Sequence, residues 1–315
     1  MKPLEASEII KQKALEIGFD ACGICEASHV GNQAIFLDKY LENGYHGEMS
    51  YMAKNIEKRK DPSLLVHGAK SVVVVALNYF PAKKQDPIEP QFAYYAYADD
   101  YHELMKKKLK LLYEFIYQEI QPIEGRVFCD TAPILEKYHA QKAGLGWIGK
   151  HTQLIIPNKG SYFFLGELVI DLPLHYDLPI KNLCGTCKLC MEACPTKAIV
   201  APKILDARSC LAYLSIEYKG EMPLIVGGKK LDMSPYIYGC DICNKICPWN
   251  KFARPTKVEE FNRSAAVLGF RANDLMQMDE EDFKQVFSRS VIKRIGLAQL
   301  KRNFNILKLN NNYDD

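Results

Sequence analysis

Residues 184–195 read CGTCKLCMEACP, and this stretch decides the fold of the second half of the chain. Its spacing is Cys-x2-Cys-x2-Cys-x3-Cys-Pro, in which three thiolates hold one [4Fe-4S] cluster and the fourth binds a second cluster. A related stretch, CDICNKICP at residues 240–248, carries three cysteines at the spacing of the second, third and fourth positions. Cys210 is the only nearby cysteine that could complete it. The sequence therefore predicts two [4Fe-4S] clusters.

The two-cluster rule assigns ligands by exchanging the fourth cysteine of each run. It predicts two ligand sets, Cys184, Cys187, Cys190 and Cys247 (site I) and Cys194, Cys210, Cys240 and Cys243 (site II). Disulfides and structural zinc are the alternatives. Disulfides require an oxidising compartment, and zinc sites favour two separate Cys-x2-Cys pairs or closely spaced histidines. Three cysteines at intervals of three before a Cys-Pro therefore favour clusters.

Length and composition limit the number of domains and the classes of protein to which the chain could belong. Its 315 residues, 48% of them hydrophobic, can form one large or two ordinary domains. The longest apolar run, SVVVVALNYF at residues 71–80, is too short to span a bilayer and predicts a buried central strand. The first 18 residues predict an amphipathic helix, capped by Ser7 and ended by Gly18, rather than a signal peptide. We therefore expect a cytoplasmic protein without a membrane partner, and the net charge of +3 permits an RNA partner.

Asp130 stands at a predicted junction of strand and helix. RVFCD at residues 126–130 predicts a strand, and residues 131–144 predict a helix with Pro133 in its first turn and Gly144 at its end. Functional sites are commonly built where a strand leaves a sheet. Asp130 is therefore a candidate site residue, and an ordinary helix N-cap is the alternative.

The glycine-rich stretch GLGWIGKHT, residues 144–152, is a candidate ligand contact. Its glycines let the backbone approach a large flat ligand closely. It follows a predicted helix instead of opening one, which excludes the usual dinucleotide-binding loop.

A separate Cys-x2-Cys, formed by Cys22 and Cys25, has no second pair nearby. Buried strand thiols are favoured there over a metal or redox site.

The motifs together resemble the epoxyqueuosine reductase family over nearly the whole chain, about residues 5 to 305. Besides the cysteine run at 184–195, the motifs that carry the resemblance are, in chain order, HGEMSYM (46–52), KRKDP (58–62), SVVVVALNYFP (71–81), DYH (100–102), CDTAPILEK (129–137), AGLGWIGKHT (143–152), FLGEL (164–168), YLSIEYKG (213–220) and YGCDICNKICPWN (238–250).

The resemblance implies an enzyme that reduces the epoxide of epoxyqueuosine in a tRNA anticodon loop to queuosine, the last step of queuosine biosynthesis. It implies cobalamin and two [4Fe-4S] clusters as cofactors, fed by an electron donor that the sequence does not identify. The implied fold class is α+β. Residues 1–170 would form a cobalamin domain similar to those of reductive dehalogenases and nitroreductases, 171–255 a ferredoxin-like two-cluster domain, and 256–315 a short helical segment that could contact tRNA. The sequence lacks Asp-x-His-x-x-Gly, which fits the base-off cobalamin binding attributed to the family.

The resemblance also assigns residues to roles. It makes Asp130 the proton donor, although a carboxylate at a helix N-terminus is stabilised as the anion and becomes an acid only if burial raises its pKa. The residues implied to contact the cofactor are Arg59, Asp130, Trp147, Gly149, Lys150, His151, Thr152 and Ser215. The residues implied to lie near the substrate are Tyr95, Asp100, Tyr101 and His102. A basic group that would suit a phosphate backbone, or else a solvated helix face, comprises Lys293, Arg294, Lys301 and Arg302.

Two other functions were weighed. A corrinoid reductive dehalogenase is disfavoured because such enzymes typically carry a twin-arginine signal, which is absent here. A ferredoxin-type electron carrier does not account for the CDTAP and AGLGWIGKHT stretches, since a shuttle needs no enclosed pocket. The chain also departs from the family at Tyr94, where many members carry arginine, at Ala98, where glycine is usual, and in lacking the helical-repeat extension of some members.

Overall fold

A computed structural model describes residues 1–262 and 265–308. The α-helices are α1 Pro3–Ile17, α2 Asn32–Glu42, α3 Ile56–Lys60, α4 Tyr101–Phe115, α5 Glu136–Lys142, α6 Leu189–Ala193, α7 Leu211–Ile216, α8 Ile242–Lys245, α9 Ala265–Leu268, α10 Ala272–Gln277, α11 Glu280–Phe287 and α12 Gly296–Lys308. The strands are β1 Ala21–Glu26, β2 Ser71–Asn78, β3 Gln91–Phe92, β4 Gly125–Phe128, β5 Trp147–Ile148, β6 Leu154–Ile155, β7 Phe163–Ile170, β8 Ile199–Ala201, β9 Ile204–Leu205, β10 Ile225–Val226, β11 Lys229–Lys230 and β12 Tyr236–Tyr238. Short 3₁₀ turns cover Ser50–Ala53, Pro62–Leu64, Tyr94–Ala96, Ala207–Ser209, Pro248–Phe252, Glu259–Asn262 and Val291–Arg294, and one π-helical turn, Ile116–Ile120, continues α4.

A four-stranded sheet of order β1-β2-β7-β4 forms the centre of the first part of the chain, and all its neighbouring strands are antiparallel. The predicted central strand is confirmed, because β2 lies between β1 and β7 and its residues are buried except at the last position. A β-branched run without alternation suits such a strand, since both of its faces are covered.

Helices cover both faces of this sheet. On one face, α1 and α4 pack through Ile10, Met105 and Leu109 against alternate residues of β2. On the other face, α5 and the turn after it pack through Ala140 and Leu145. The result is a three-layer arrangement. The carboxyl end of β4 lies near the start of α4.

The first helix begins earlier than predicted. It starts at Pro3, whose fixed φ suits the first helical position, so the prediction that Ser7 caps the helix is wrong. The Ser7 hydroxyl is buried, donates to the Pro3 carbonyl and accepts from the His175 N–H. Gly18 ends the helix in the left-handed conformation, with φ of 98°, as predicted.

Two contacts tie the cysteine-bearing region to the sheet region. Strand β12 pairs in parallel with β3. Next to it, the buried Asp241 carboxylate accepts a hydrogen bond of 2.7 Å from the Tyr94 N–H. Burial raises the pKa of Asp241 to about 6, while that hydrogen bond opposes the shift. The chain between the site II ligands Cys240 and Cys243 is therefore anchored to the aromatic segment before α4.

The C-terminal helices share a core with that same aromatic segment. Phe287 and Leu300 pack with Phe92, Tyr97 and Ile237, which come from parts of the chain far apart in sequence. The mixture of helices and an antiparallel sheet agrees with the α+β class, whereas the domain bounds 1–170, 171–255 and 256–315 stay a prediction. Within the two described ranges, none of the helices combines the length and apolar character needed to cross a membrane.

Candidate active site and cluster sites

Asp130 lies in an irregular turn after β4, and not at a helix start. The predicted helix over 131–144 is shorter than expected, because α5 begins only at Glu136, and Leu135 occupies its N-cap position. Asp130 adopts φ of 58°, a left-handed conformation that residues with a Cβ rarely take. The N-cap interpretation of Asp130 and the placement of Pro133 in a helix are therefore wrong. Backbone strain of this kind clusters at functional sites.

The turn presents the Asp130 carboxylate to solvent, with 57% of the side chain exposed. The carboxylate lies 3.1 Å from the Tyr101 hydroxyl, which donates to it, and 3.2 Å from His102 Nε2. Behind it, the backbone N–H of Asp130 donates to the carboxylate of Glu136 over 2.6 Å. The residue is therefore held on both sides while its acid group stays accessible.

His102 bridges two carboxylates. Its Nδ1 lies 2.6 Å from Asp100, and its Nε2 faces Asp130. The hydrogen bonds to Asp100 and Asp130 raise the pKa of His102 to about 9, against a smaller opposing effect of burial. In turn, the hydrogen bond from His102 is the main cause that lowers the pKa of Asp130. In the ligand-free site at neutral pH, the proton therefore resides on His102, and Asp130 is an anion.

The other candidate substrate residues lie around this group. Tyr101 stacks on Phe164 with ring centroids 3.9 Å apart, and burial, followed by the charge of Asp130, raises its pKa. Tyr95 packs beside Tyr238, with ring centroids 6.0 Å apart. Asp100 caps α4 by accepting from the His102 N–H. Asp100, Tyr101 and His102 are thus brought together with Asp130, whereas Tyr95 packs on Tyr238.

The four basic residues near the C-terminus have different surroundings. Lys293 lies 3.7 Å from Asp100, and Arg294 forms a bidentate pair with Glu217 at 2.6 Å, at the edge of the Asp130 site. Lys301 donates to the carbonyl of Met278. Arg302 donates to the backbone carbonyls of Leu214, Tyr218 and Gly220. The charges of Lys301 and Arg302 are therefore engaged with the protein's own backbone.

The thiols of site I surround a cavity of about 160 Å³, which Lys150, His151 and Trp249 also line. Burial raises the pKa of Cys190, and the neighbouring thiolates of Cys184 and Cys187 add to this shift. The indole N–H of Trp147 donates to the Cys184 sulfur over 3.4 Å. Four thiols around one enclosed space are the donor set that a [4Fe-4S] cluster requires.

The thiols of site II also lie close together. Burial raises the pKa of Cys243 to about 12, and the charges of Cys210 and Cys194 are among the further causes. Burial likewise raises the pKa of Cys240 well above its ordinary value, and Cys210 and Cys243 contribute. No three His, Cys, Asp or Glu side chains in residues 1–262 and 265–308 converge on a position for a single metal ion. The all-thiol sets fit polynuclear clusters.

The hairpin formed by β5 and β6 packs against site I. The Lys150 ammonium donates to the carbonyls of Gly185 and Cys187 at 2.8 and 2.7 Å. Thr152, with φ of 68°, allows the tight turn in which its N–H donates to the Gly149 carbonyl. Burial lowers the pKa of His151 to about 4, so its ring is neutral. Residues that the resemblance places along the corrin therefore contact the site I region in this structure.

Lys137 lies near both Asp130 and the site II thiols. It is exposed to solvent, yet desolvation is the largest cause that lowers its pKa, and the opposing charges come from Glu136, Asp130, Cys243 and Cys210. The acid and the thiols of site II are therefore on the same side of the molecule as Lys137.

Two predicted corrin contacts are instead buried within the protein. Arg59 is 8% exposed and donates to the carbonyls of Tyr51 and Lys54, which fixes the turn between them. The hydroxyl of Ser215 is fully buried, donates to the Ala212 carbonyl and accepts from the Gly239 N–H. Their assignment as corrin contacts stays a prediction.

Sequence reasoning missed Glu136, Glu217 and a buried pair between α5 and β7. Glu136 follows Asp130 by six positions, and the irregular turn between them hides their contact from any helical pattern. Burial, followed by the charge of Glu167, raises the pKa of Glu136. His139 and Glu167, which are 1% and 0% exposed, form a pair of 3.0 Å beneath it. A buried carboxylate in the apolar run FLGELVI was the available signal.

Cys22 and Cys25 lie on opposite faces of the sheet. In β1, Cys22 is opposite Val75 and Cys25 is opposite Val72, and these valines contribute to different sides of the sheet. Burial raises the pKa of Cys22 to about 12. This geometry agrees with two separate, unreactive thiols.

Comparison with known proteins finds similarity to one enzyme family. The family model described as epoxyqueuosine reductase QueG, DUF1730 matches residues 59–131, and that of a 4Fe-4S double cluster binding domain matches residues 183–250. The epoxyqueuosine reductase of Cellulophaga algicola is 44% identical over 302 residues, covering 96% of this chain and 98% of that protein. The one of Leadbetterella byssophila is 46% identical with the same coverage.

A crystal structure of an epoxyqueuosine reductase with an epoxyqueuosine-modified tRNA stem loop superimposes with a TM-score of 0.86. Its sequence is 28% identical, and the match covers 96% of this chain and 81% of that chain. The α+β class and the double-cluster region predicted from the sequence are confirmed by these matches. On the identity and coverage of its relatives, the chain belongs to the epoxyqueuosine reductase family.

Proposed function

We propose that this protein reduces the epoxide of epoxyqueuosine in a tRNA anticodon loop to queuosine. The observation that carries the proposal is an accessible acid, Asp130, held by Tyr101 and His102, with Lys137 near both this acid and the site II thiols. Full-length similarity to epoxyqueuosine reductases supports the same assignment.

Cobalamin and two [4Fe-4S] clusters are the cofactors of this proposal. When bound, they supply the two electrons that remove the epoxide oxygen and leave an alkene. Site I and site II would hold the clusters, and the corrin would bind beside Asp130 and Lys137. The physiological electron donor is unidentified.

The protein's own residues supply protons. Removal of the epoxide oxygen as water breaks both carbon–oxygen bonds and consumes two electrons and two protons. Oxygen leaves most easily if it is protonated as its bond breaks. Asp130 is the side chain placed to deliver that proton, and the protonated His102 beside it can restore the proton to Asp130. Substrate and corrin would further desolvate Asp130 and bring its pKa closer to that of a working acid.

The surface near this acid is suited to RNA. Lys293 and Arg294 lie at the edge of the site and could contact phosphate groups. The Tyr101 ring is stacked between Phe164 and His102, which leaves its hydroxyl, beside Asp130, as the part that could contact a nucleoside. Because its substrate is tRNA, we propose that the enzyme works in the cytoplasm.

The test is conversion of epoxyqueuosine-containing tRNA by protein reconstituted with cobalamin, iron, sulfide and a chemical reductant under anaerobic conditions. Mass spectrometry of the digested tRNA should detect queuosine. Protein lacking only the corrinoid is the control. A sample with both clusters and bound corrinoid that leaves epoxyqueuosine unchanged contradicts the proposal.

A further inference from the structure

The site I cavity contains a histidine that the proposed reaction does not use. His151 lines the cavity beside Cys184, Cys187, Cys190 and Cys247, and only 3% of its surface is exposed. Its Nε2 is buried and finds no hydrogen-bond partner in the described part of the chain, residues 1–262 and 265–308. An unpaired buried polar group is unfavourable by roughly 1–3 kcal/mol, so such groups call for a partner.

The local backbone fixes which ring nitrogen carries the proton. Nδ1 of His151 lies 3.1 Å from the backbone nitrogen of Gln153, which can only donate. Nδ1 is therefore the acceptor, and the proton of the neutral ring is on Nε2. The unpaired atom is thus an N–H donor next to a cavity lined by sulfur ligands.

The hairpin holds this ring in place. The N–H of Gly149 donates to the carbonyl of Gln153, and the N–H of Thr152 donates to the carbonyl of Gly149. A Cβ on Gly149 would lie 2.9 Å from Cε1 of His151, so only glycine lets the imidazole occupy its position. Trp147 and Lys150, from the same hairpin, already donate to Cys184 and to the carbonyls of Gly185 and Cys187.

We propose that His151 donates an Nε2–H hydrogen bond to a sulfur atom of the site I cluster and thereby raises the reduction potential of that cluster. Reduction adds negative charge to the cluster, and a donor to sulfur stabilises the reduced form more than the oxidised form. Cys187 is exposed, whereas Cys190 and Cys247 are buried, so site I presents one edge to solvent. His151 would therefore set how readily electrons enter from an external donor. The inference rests on the proposed clusters and not on the tRNA substrate.

The test is an EPR-monitored redox titration of the anaerobically reconstituted protein. His151→Leu removes the donor at similar volume, and we expect the potential of one cluster to fall. A tenfold decrease in the equilibrium constant for reduction corresponds to a fall of about 59 mV in the potential of a one-electron couple. His151→Gln keeps an N–H donor and should recover most of the shift. Thr196→Val is the matched control, because the Thr196 hydroxyl lies 3.6 Å from the sulfur of Cys194 in site II. It should leave the site I potential unchanged.

The potentials of all three variants and of the parent are compared at equal iron and sulfide content. An unchanged potential in His151→Leu with both clusters intact overturns the inference, as does a His151→Gln protein whose potential equals that of His151→Leu. If His151→Leu loses the cluster, Gly149→Ala provides the second measurement, since it displaces the imidazole without removing it. A lower potential in that variant supports the inference, and an unchanged potential overturns it. Failure to convert tRNA, with the potential shift present, contradicts the proposed function alone.

Discussion

His102 determines where the acidic proton of the site resides. Sequence reasoning placed that proton on Asp130 and noted that a carboxylate at a helix N-terminus is a poor acid. In the structure, Asp130 is not at a helix N-terminus. Its pKa is lowered instead by His102, which lies between Asp100 and Asp130 and lowers the pKa of both. In the proposed reaction, Asp130 would therefore act as an acid by relaying the proton of His102, rather than through burial alone.

Asp130→Asn removes the relay without changing the size of the side chain. We expect the variant to bind clusters and corrinoid like the parent, because no cluster ligand is touched, and to lose turnover by at least about 100-fold, the lower end of general acid contributions. Queuosine formation is measured by mass spectrometry, and cofactor content by absorption spectroscopy. Asp279→Asn, at the N-cap of α11, is the control, since asparagine caps a helix equally well. Full activity of Asp130→Asn would remove this residue from the mechanism.

The ion pairs of His102 give stability a defined pH dependence. Its pKa is raised from 6.5 to about 9 in the folded state, so its contribution is fully present below pH 6.5 and disappears as the pH rises through about 9. The difference in free energy of unfolding between the parent and His102→Gln should therefore shrink over that window. Denaturant unfolding at pH values on either side of the window measures it. A difference that stays constant contradicts the assigned protonation.

Only part of the residue-level site can be derived from the sequence. Cysteine spacing predicted two ligand groups because metal geometry constrains the spacing directly. Asp130 was found from its position after a strand. Its contacts with Tyr101 and Glu136 depend on a left-handed turn, and a non-glycine residue in that conformation leaves no sequence signal.

At the scale of elements, buried strands were easier to predict than the helix after Asp130. The apolar run of β2 suits only a strand that is buried on both faces. The run 131–144 has helical periodicity, but the chain stays irregular from the left-handed Asp130 to Leu135, and α5 begins only at Glu136. Turn geometry overrode periodicity at the position where the site is built.

The β5–β6 hairpin supports site I through Trp147 and Lys150. A Cβ on Gly146 would lie 2.1 Å from the carbonyl oxygen of Ile155, a backbone atom that cannot move aside alone. Gly146→Ala should therefore displace the hairpin that carries Trp147 and His151 and reduce the iron content and the melting temperature. Gly68→Ala is the control, because a Cβ there has open space and only its φ of 69° is unfavourable, by about 1–2 kcal/mol. Equal iron content in both variants would contradict this dependence.

At the scale of the molecule, the C-terminal helices support the active site. Phe287, fully buried, packs on Phe92 and Phe270, and three residues later Ser290 forms a β-bridge with Asp99. Phe287→Ala should lower the free energy of unfolding by about 3–5 kcal/mol and loosen the segment that leads to Asp100. Urea unfolding measures the loss, and Phe36→Ala, exposed at 58%, should change it by less than about 0.5 kcal/mol. Equal effects of the two substitutions would contradict the shared core.

The parallel pairing of β3 with β12 has a consequence for biosynthesis. Residues 91–98 pack partly on Phe80 and Tyr162, but β3 pairs with β12 and the same segment packs with Phe287 and Leu300, so most of the chain must be synthesised before this segment is fully covered. Cys240, Cys243 and Cys247 also lie late in the sequence, so neither predicted ligand set is complete before they are synthesised. We therefore expect cluster insertion to follow synthesis of most of the chain.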